Sequence, residues 1–355
     1  MTSLRTHGGP DALGTPVHDF STNSNACGPC PSVLEALRQA DACHYPDASY
    51  THLRQQLAAF HGVQRERVLL AGSASEFIFR ITAWVARSAL AASASGVLPV
   101  PGVHLPPHAY GDYEQAALAW GLARVARPEQ AALVWACEPT SPLGQAHPGW
   151  PPSLLEACGH PLPATVLDAA YAPLRLSGVP SLGAAQLSQV WQLFTPNKAL
   201  GLTGVRAAYV IAPLGAQHAV RALEALAPSW PVGAHGVAML QAWVGCAVQA
   251  WLAGCLPVLR EWKARQQGLL QGLGWRVAPS QANFFCAQPP QPLDLAHLRQ
   301  VHGIKLRDTS SFGLPGQMRL GVLPPASQDV LHHALQTTPL TILADGSHAA
   351  AIQTG

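Results

Sequence analysis

Phe194-Thr195-Pro196-Asn197-Lys198-Ala199-Leu200-Gly201-Leu202-Thr203-Gly204-Val205-Arg206 is the stretch from which the rest of the chain is read. The apolar run 190–194 reads as a buried strand, and 205–212 as another. Between them lie one lysine and a set of glycine and threonine turn residues, with Arg206 eight positions beyond Lys198. Lysine is scarce: Lys198, Lys263 and Lys305 are the only ones. A lysine at the end of a buried strand, amid small residues, is a setting for a Schiff-base amine. A solvated loop lysine fits the same spacing, and the stretch alone leaves both open.

Working outward, 68–71, 131–137 and 164–167 read as strands, with 97–100 and 103–105 as candidate short strands. Helices at 77–90, 113–120 and 153–158 alternate with them. This alternation predicts an α/β fold, a mostly parallel sheet sandwiched by helices. In such sheets ligands sit at the carboxyl ends of the strands. Upstream, 1–25 has little periodicity; 32–39, capped by Ser32, and 50–61 read as helices. Downstream, helices are expected at 216–226, 234–246 and 248–270, the last kinked or split at Pro257. Strands at 275–278, 283–286, 304–306 and 318–322, with helices at 293–302 and 327–336, read as a smaller α+β unit. The expected division is an N-terminal arm and small-domain segment (1–40), a large domain (41–250), a small C-terminal domain (251–340) and a flexible tail (341–355).

Of the 355 residues, 48% are apolar and 11% charged, which suits a compact enzyme and argues against long disorder. A net charge of +2 without a basic block points away from nucleic acid and anionic membrane. Residues 1–14 lack the apolar core of a signal peptide, and no long apolar run is free of charge and proline. A cytoplasmic protein is expected, with its eight cysteines mostly buried thiols. Cys27-Gly28-Pro29-Cys30 has the spelling of a redox motif, but that chemistry needs a strand before it and a helix opening at the first cysteine. The turn-rich Ser21-Thr22-Asn23-Ser24-Asn25 precedes it instead. No second Cys/His pair follows at ligand spacing, so no metal is expected.

The strand ends bring together 72–76, 139–144, Asp168, Tyr171 and Lys198. Ser73-Ala74-Ser75, opening a helix, offers backbone N–H groups to an anion such as phosphate, although many helices begin this way. Asp168 reads as an N-cap or turn residue, or as the partner of a protonated ring nitrogen. A phosphate cradle, an acid for a ring nitrogen and a reactive lysine together describe a pyridoxal phosphate site.

At these residues the chain resembles the fold-type-I pyridoxal phosphate enzymes of the class I/II aminotransferase group. Within it, the chain is most similar to histidinol-phosphate aminotransferases and their threonine-phosphate decarboxylase relatives. The resemblance runs from about His7 to Leu335 and implies a three-layer αβα architecture. It implies that Lys198 carries the cofactor as a Schiff base and moves the Cα proton. Arg206 and Thr195 are then phosphate ligands, and Asn197 stands where another serine is usual. Asp168-Ala169-Ala170-Tyr171 is similar to the family's Asp-Glu-Ala-Tyr, which implies Asp168 on the pyridine N–H and Tyr171 on the phenolic O3′. Pro107-His108-Ala109-Tyr110-Gly111 resembles Pro-Thr-Tyr-Gly, so Tyr110 stacks on the ring. Ser73-Ala74-Ser75-Glu76 resembles Gly-Ala-Asp-Glu, which puts Ser73, Ala74 and Ser75 at the phosphate. Tyr45 matches a tyrosine that reaches the neighbouring subunit's cofactor, implying a homodimer with shared sites. Arg319 matches the arginine that clamps a substrate carboxylate. Asn283 matches a structural asparagine.

The loop Glu138-Pro139-Thr140-Ser141-Pro142-Leu143-Gly144 departs from the family's Asn-Pro-Asn-Asn-Pro-Thr-Gly. Ser141 replaces an asparagine that donates to O3′; the shorter side chain reaches O3′ directly, through water, or not at all. His7-Gly8-Gly9 and Asp19-Phe20-Ser21-Thr22-Asn23 resemble segments of the decarboxylase relatives and put His7 and Asn23 at the substrate. The activity implied is a pyridoxal phosphate-dependent aminotransferase acting on an amino acid or a phosphorylated amine. The alternative is threonine-phosphate decarboxylation in cobalamin biosynthesis. A non-catalytic pyridoxal phosphate protein is a third reading, which needs an effector domain larger than residues 1–25.

Overall fold

The computed structural model describes residues 7–94, 101–156 and 163–337. The candidate strand 97–100, the last residues of the 153–158 helix and the 341–355 tail lie outside them.

Among the described residues seven strands form the main sheet: β1 (Val68–Ala71), β2 (Gly102–His104), β3 (Ala123–Arg124), β4 (Leu133–Cys137), β5 (Ala164–Asp168), β6 (Trp191–Phe194) and β7 (Ala208–Ile211). Their order is β1-β7-β6-β5-β4-β2-β3. The pairs β3–β2, β2–β4, β4–β5 and β5–β6 are parallel, whereas β7 is antiparallel to both β6 and β1. Every residue of β1, β4 and β7 is buried, as expected of strands covered on both faces. Helices Ala74–Ala94 and Gly111–Ala119 pack on the sheet through Phe77, Ile78, Ile81, Tyr113 and Ala116.

The reversal of β7 places the site. In register, Cys137 pairs with Asp168 and Asp168 with Leu193, so β4, β5 and β6 end side by side. The chain leaves β6 through Lys198 and re-enters as β7 running the other way, with Ala208 beside Ala71. Arg206 therefore lies at the same edge as Lys198.

A second, antiparallel sheet has the order β10-β11-β9-β8, from β8 (Arg276–Val277), β9 (Phe284–Gln288), β10 (Arg307–Asp308) and β11 (Met318–Gly321). Helices Leu295–Val301 and Pro325–Thr337 accompany it. The arm joins this part of the chain: His18–Asp19 pairs in parallel with Ile304–Lys305, and Asp11 pairs with Arg299 and Lys305 at 2.9 and 3.0 Å.

Local readings are corrected in three places. Helix Pro31–Arg38 is capped by Cys30, not Ser32, because Pro31 takes the first turn, where its missing N–H costs no hydrogen bond. The helix expected at 77–90 starts at Ala74, within the small-residue turn. Helix Cys246–Gly272 runs through Pro257 without splitting, held by buried Leu252, Cys255, Leu259 and Leu270 on one face. Among the described residues no single helix is long and apolar enough to cross a membrane. The described cysteines are unpaired, and Cys43 and Cys246 are exposed rather than buried.

The Cys27–Cys30 segment packs against the lysine loop. Cys30 N–H donates to Leu200 C=O at 2.9 Å. Gly201, at φ +70°, lies so near Gly28 that a Cβ there would stand 2.5 Å from the Gly28 carbonyl oxygen. The segment's local role is therefore close backbone packing.

Candidate active site

A cavity of about 1200 Å³ opens at the carboxyl edge of the main sheet, between it and the second sheet. Its lining brings together His7, Asn23, Ser73, Ala74, Ser75, Tyr110, Ser141, Asp168, Tyr171, Thr195, Lys198, Arg206 and Arg319. Of the residues singled out in the sequence for this site, Tyr45 alone lies elsewhere. It is 78% exposed and stacks on Trp230, with ring centroids 4.4 Å apart.

At one end lies an anion cradle. Ser73 Oγ accepts the Glu76 N–H at 3.1 Å and so caps helix Ala74–Ala94. The N–H groups of Ala74 and Ser75, in the first turn, have no acceptor within the helix. Arg206 and the Thr195 hydroxyl lie on the same lining, and Thr195 Oγ1 is buried without a hydrogen-bond partner.

The floor is formed by Asp168. Its Oδ2 accepts the Tyr113 O–H at 2.6 Å and its Oδ1 accepts the Ala170 N–H at 2.9 Å. Burial pushes this carboxyl up, against the pull of the Tyr113 hydrogen bond, the Lys198 charge and the Ala170 N–H. Tyr110 sits above, its hydroxyl 3.2 Å from Ser75 Oγ; burial pushes that phenol up to about 12. Lys198 Nζ lies 5.4 Å from the centre of the Tyr171 ring. Asn23 Nδ2 donates to the Tyr171 hydroxyl at 3.3 Å. The arm also holds the lysine loop: Asn25 N–H donates to Lys198 C=O, and Asn25 Nδ2 to Ala199 C=O, both at 2.9 Å.

At the opposite end Arg319 Nη1 donates to Ser141 Oγ at 3.3 Å and Nη2 to Ser21 C=O at 2.9 Å. Ser141 is thus engaged by the arginine. Arg307 faces Arg319 directly across the β10–β11 pair. Both guanidiniums stand over the Phe312 ring, 4.9 Å from its centre for Arg307 and 5.6 Å for Arg319. Two like charges directly opposite each other disfavour the sheet by themselves. They become favourable when an anion lies in front of both.

His7 reaches the lining because the arm is drawn tight: a Cβ on Gly8 would fall 2.2 Å from the Ser21 carbonyl oxygen. The Asp19 carboxylate fixes that turn, accepting from Ser21 Oγ at 2.5 Å and Thr22 Oγ1 at 2.6 Å. The His7 ring centroid is 6.2 Å from that of Tyr110. Asn283, expected to be structural, donates to Ser24 C=O at 3.0 Å.

Sequence reasoning gave no site role to Arg307, Tyr113 or Asn25. Arg307 follows directly on the strand read at 304–306, but that it faces Arg319 is set by register alone. Tyr113 carries no signal, since a tyrosine in an amphipathic helix reads as core.

The pattern that defines the family Aminotransferase class I and II matches residues 122–337, more than half of the chain. The chain belongs to this family. It is 27% identical over 330 residues to the histidinol-phosphate aminotransferase of Jannaschia sp. (strain CCS1), covering 86% of this chain and 87% of that one. Its fold is like that of the histidinol-phosphate aminotransferase from Sinorhizobium meliloti solved in complex with pyridoxal-5'-phosphate. The TM-score is 0.75 at 24% identity, over 94% of each chain. The L-threonine-O-3-phosphate decarboxylase from Porphyromonas gingivalis is similar in fold as well. Its TM-score is 0.73 at 19% identity, over 90% of this chain and 99% of that one.

Aminotransferases of this family use pyridoxal phosphate, and the donor set fits it. The orphaned Thr195 hydroxyl, two free helix N–H groups and Arg206 suit a phosphate. Buried Asp168 suits a protonated ring nitrogen, the Tyr171 hydroxyl a phenolic oxygen, the Tyr110 ring an aromatic face, and Lys198 an aldehyde.

Proposed function

We propose that the chain is a pyridoxal phosphate-dependent aminotransferase acting on an α-amino acid or a phosphorylated amine, of the histidinol-phosphate aminotransferase kind. The observation that carries this reading is the polarity of the cavity. It has an anion cradle at one end, a paired-arginine end at the other, and the Lys198 amine between them.

In this reading Ser73, Ala74, Ser75, Thr195 and Arg206 hold the cofactor phosphate, Asp168 the ring nitrogen, Tyr171 the phenolic oxygen and Tyr110 the ring face. When bound, the cofactor supplies an electron sink for charge that develops at the substrate Cα. The protein's part is then proton handling and orientation. The Lys198 amine would be the base that takes the proton from the substrate Cα and holds it for return. Arg319 binds an anion in bidentate fashion, and Arg307 opposite it, whose guanidinium also donates to Asp308 C=O and Ser311 Oγ at 2.7 Å each, adds a second positive charge for a dianion such as a phosphate. That pairing favours substrates carrying a phosphate over those whose only anion is a carboxylate. His7 and Asn23 complete the substrate end from the arm.

The same reading makes the enzyme a cytoplasmic homodimer in which Tyr45, exposed beside Trp230, reaches the neighbouring subunit's site. It keeps the division at 1–40, 41–250 and 251–340.

One observation favours a second reading, decarboxylation of a phosphorylated amino acid. His7-Gly8-Gly9 and Asp19–Asn23, the two segments that resemble the decarboxylase relatives, meet in the cavity as one knot under Arg319. The proton and the carboxylate at Cα compete for the position perpendicular to the cofactor ring, and the phosphate-binding residues serve both outcomes. The deciding experiment supplies histidinol phosphate with 2-oxoglutarate and, separately, O-phosphothreonine. Glutamate formation supports the aminotransferase. Release of carbon dioxide from O-phosphothreonine without glutamate from the first mixture refutes it.

A further inference from the structure

We propose that Tyr113 is a positioning residue for the cofactor: its hydroxyl holds the Asp168 carboxylate in the orientation and ionised form that grip the cofactor's ring nitrogen. The assignment rests on the pyridoxal phosphate reading above.

Tyr113 lies in the first turn of helix Gly111–Ala119 and is fully buried. Its O–H is 2.6 Å from Asp168 Oδ2. Its ring stacks on Trp135, with centroids 4.4 Å apart and planes 7° apart, and meets the edge of Tyr110 at 5.8 Å. Trp135 belongs to β4 and Asp168 to the adjacent β5, so the hydrogen bond is fixed at both ends, by an aromatic stack and by strand register. The other carboxylate oxygen accepts the Ala170 N–H at 2.9 Å. Two donors built into the protein thus set the carboxylate plane. An ionised carboxylate has about four acceptor positions, and those left over serve a ring N–H in the cavity that Asp168 lines.

The chemistry requires such support. A carboxylate removed from water tends to take up a proton, and a neutral acid no longer stabilises a protonated ring. Each hydrogen bond donated to the ionised form opposes that tendency. Burial and the neighbouring Asp168 hold the Tyr113 hydroxyl well above the usual phenol range, so it remains an O–H donor. Cys137, a further neighbour besides Lys198, is also held as a neutral thiol by burial and sends its weak donor to Pro139 C=O. Tyr113 is therefore the side chain that donates to Asp168. Phenylalanine would keep the stack and remove the bond.

The test compares wild type, Tyr113→Phe, Asp168→Asn and the double variant. Each apoprotein is titrated with pyridoxal phosphate by absorbance. Each complex is then examined by NMR with cofactor labelled at the ring nitrogen with ¹⁵N. The expected result is that Tyr113→Phe weakens cofactor binding about tenfold. The ¹⁵N signal should move away from the pyridinium position while the apoprotein melts normally. In the Asp168→Asn background the same change should add nothing. Tyr113→Phe binding within twofold of wild type, with an unchanged ¹⁵N signal, overturns the assignment. So does an equal loss in both backgrounds, which would mark Tyr113 as packing only. A wild-type protein that takes up no pyridoxal phosphate overturns the cofactor reading and this assignment with it. Normal uptake by wild type with an unaltered Tyr113→Phe overturns the assignment alone.

Discussion

Gly201→Ala should unfold the chain more readily than any other single methyl added to the lysine loop. Gly201 has φ +70°, a conformation that costs an alanine about 1–2 kcal/mol. The new Cβ would also stand 2.5 Å from the Gly28 oxygen, 2.9 Å from its carbon and 3.1 Å from Pro29 Cα. All three are backbone atoms, and ordinary contact begins near 3.4 Å, so one segment must retreat by about 0.9 Å. Neither yields easily, because Cys30 N–H to Leu200 C=O and Asn25 N–H to Lys198 C=O, both at 2.9 Å, tie the two segments together. Overpacking of this kind adds about 1–3 kcal/mol. The expected loss is therefore about 2–5 kcal/mol in urea unfolding of the apoprotein. Gly204→Ala, three residues on, is the control: nothing lies within 4 Å of its Cβ and its φ is not positive. It should be neutral or stabilising by up to about 1 kcal/mol. A Gly201→Ala loss under about 1 kcal/mol, or equal losses at both glycines, refutes the close approach that joins the arm to Lys198.

Three further outcomes are expected. Lys198→Ala should abolish attachment of pyridoxal phosphate by borohydride, as mass spectrometry of the digested protein would read; persistent labelling elsewhere removes Lys198 from the proposed role. Arg319→Ala should lower kcat/KM by roughly 30-fold or more, the cost of truncating one partner of a buried charge pair. Arg319→Lys should recover little of this because an ammonium cannot reproduce the guanidinium fork. Arg307→Ala should raise KM for a phosphorylated substrate far more than for one without phosphate; equal effects on both would count against the dianion site. His147 is buried against Trp150, and burial lowers its pKa from 6.5 to about 4. The unfolded chain then takes up the proton first. The contribution of His147 to stability is complete above pH 6.5 and declines as pH falls through about 4, by up to about 3 kcal/mol. His147→Leu should flatten stability between these limits, and an unchanged slope in urea titrations at several pH values would refute the assignment.

Much of the site was legible because its parts are local. Asp168 ends a strand, and Lys198 and Ser73–Ser75 follow within a few residues of one, each strand's apolar run being visible in the sequence, and a parallel sheet sends all such ends to one edge. The spacing from Lys198 to Arg206 is legible for the same reason. It is the length of a turn that leaves β6 and re-enters as the antiparallel β7, so the arginine returns to the edge the lysine left. The arm was less legible. Residues 7–25 have no periodicity to betray them, because they are held by Asp19, Lys305 and Arg319 rather than by an apolar face.

What escaped were pairings between distant segments. Arg307 and Arg319 become neighbours only through the register of two short strands, and nothing in either strand states that register. Tyr113 and Asp168 lie 55 residues apart and meet because helix Gly111–Ala119 packs its first turn over β4 and β5. The two cases bear differently on function. In the proposed reading, the motifs that are legible along the chain bind the cofactor, which every reaction in the family shares. In that reading, the pairings that are not legible lie at the ring nitrogen and at the substrate's anion. Those are the places where charge at Cα is withdrawn and where the substrate is turned relative to the ring. The choice between losing a proton and losing a carboxylate is made by that orientation. In the proposed reading, the Arg307–Arg319 pair and the His7 knot beneath it are therefore where reaction specificity has to be sought, not the Lys198 loop.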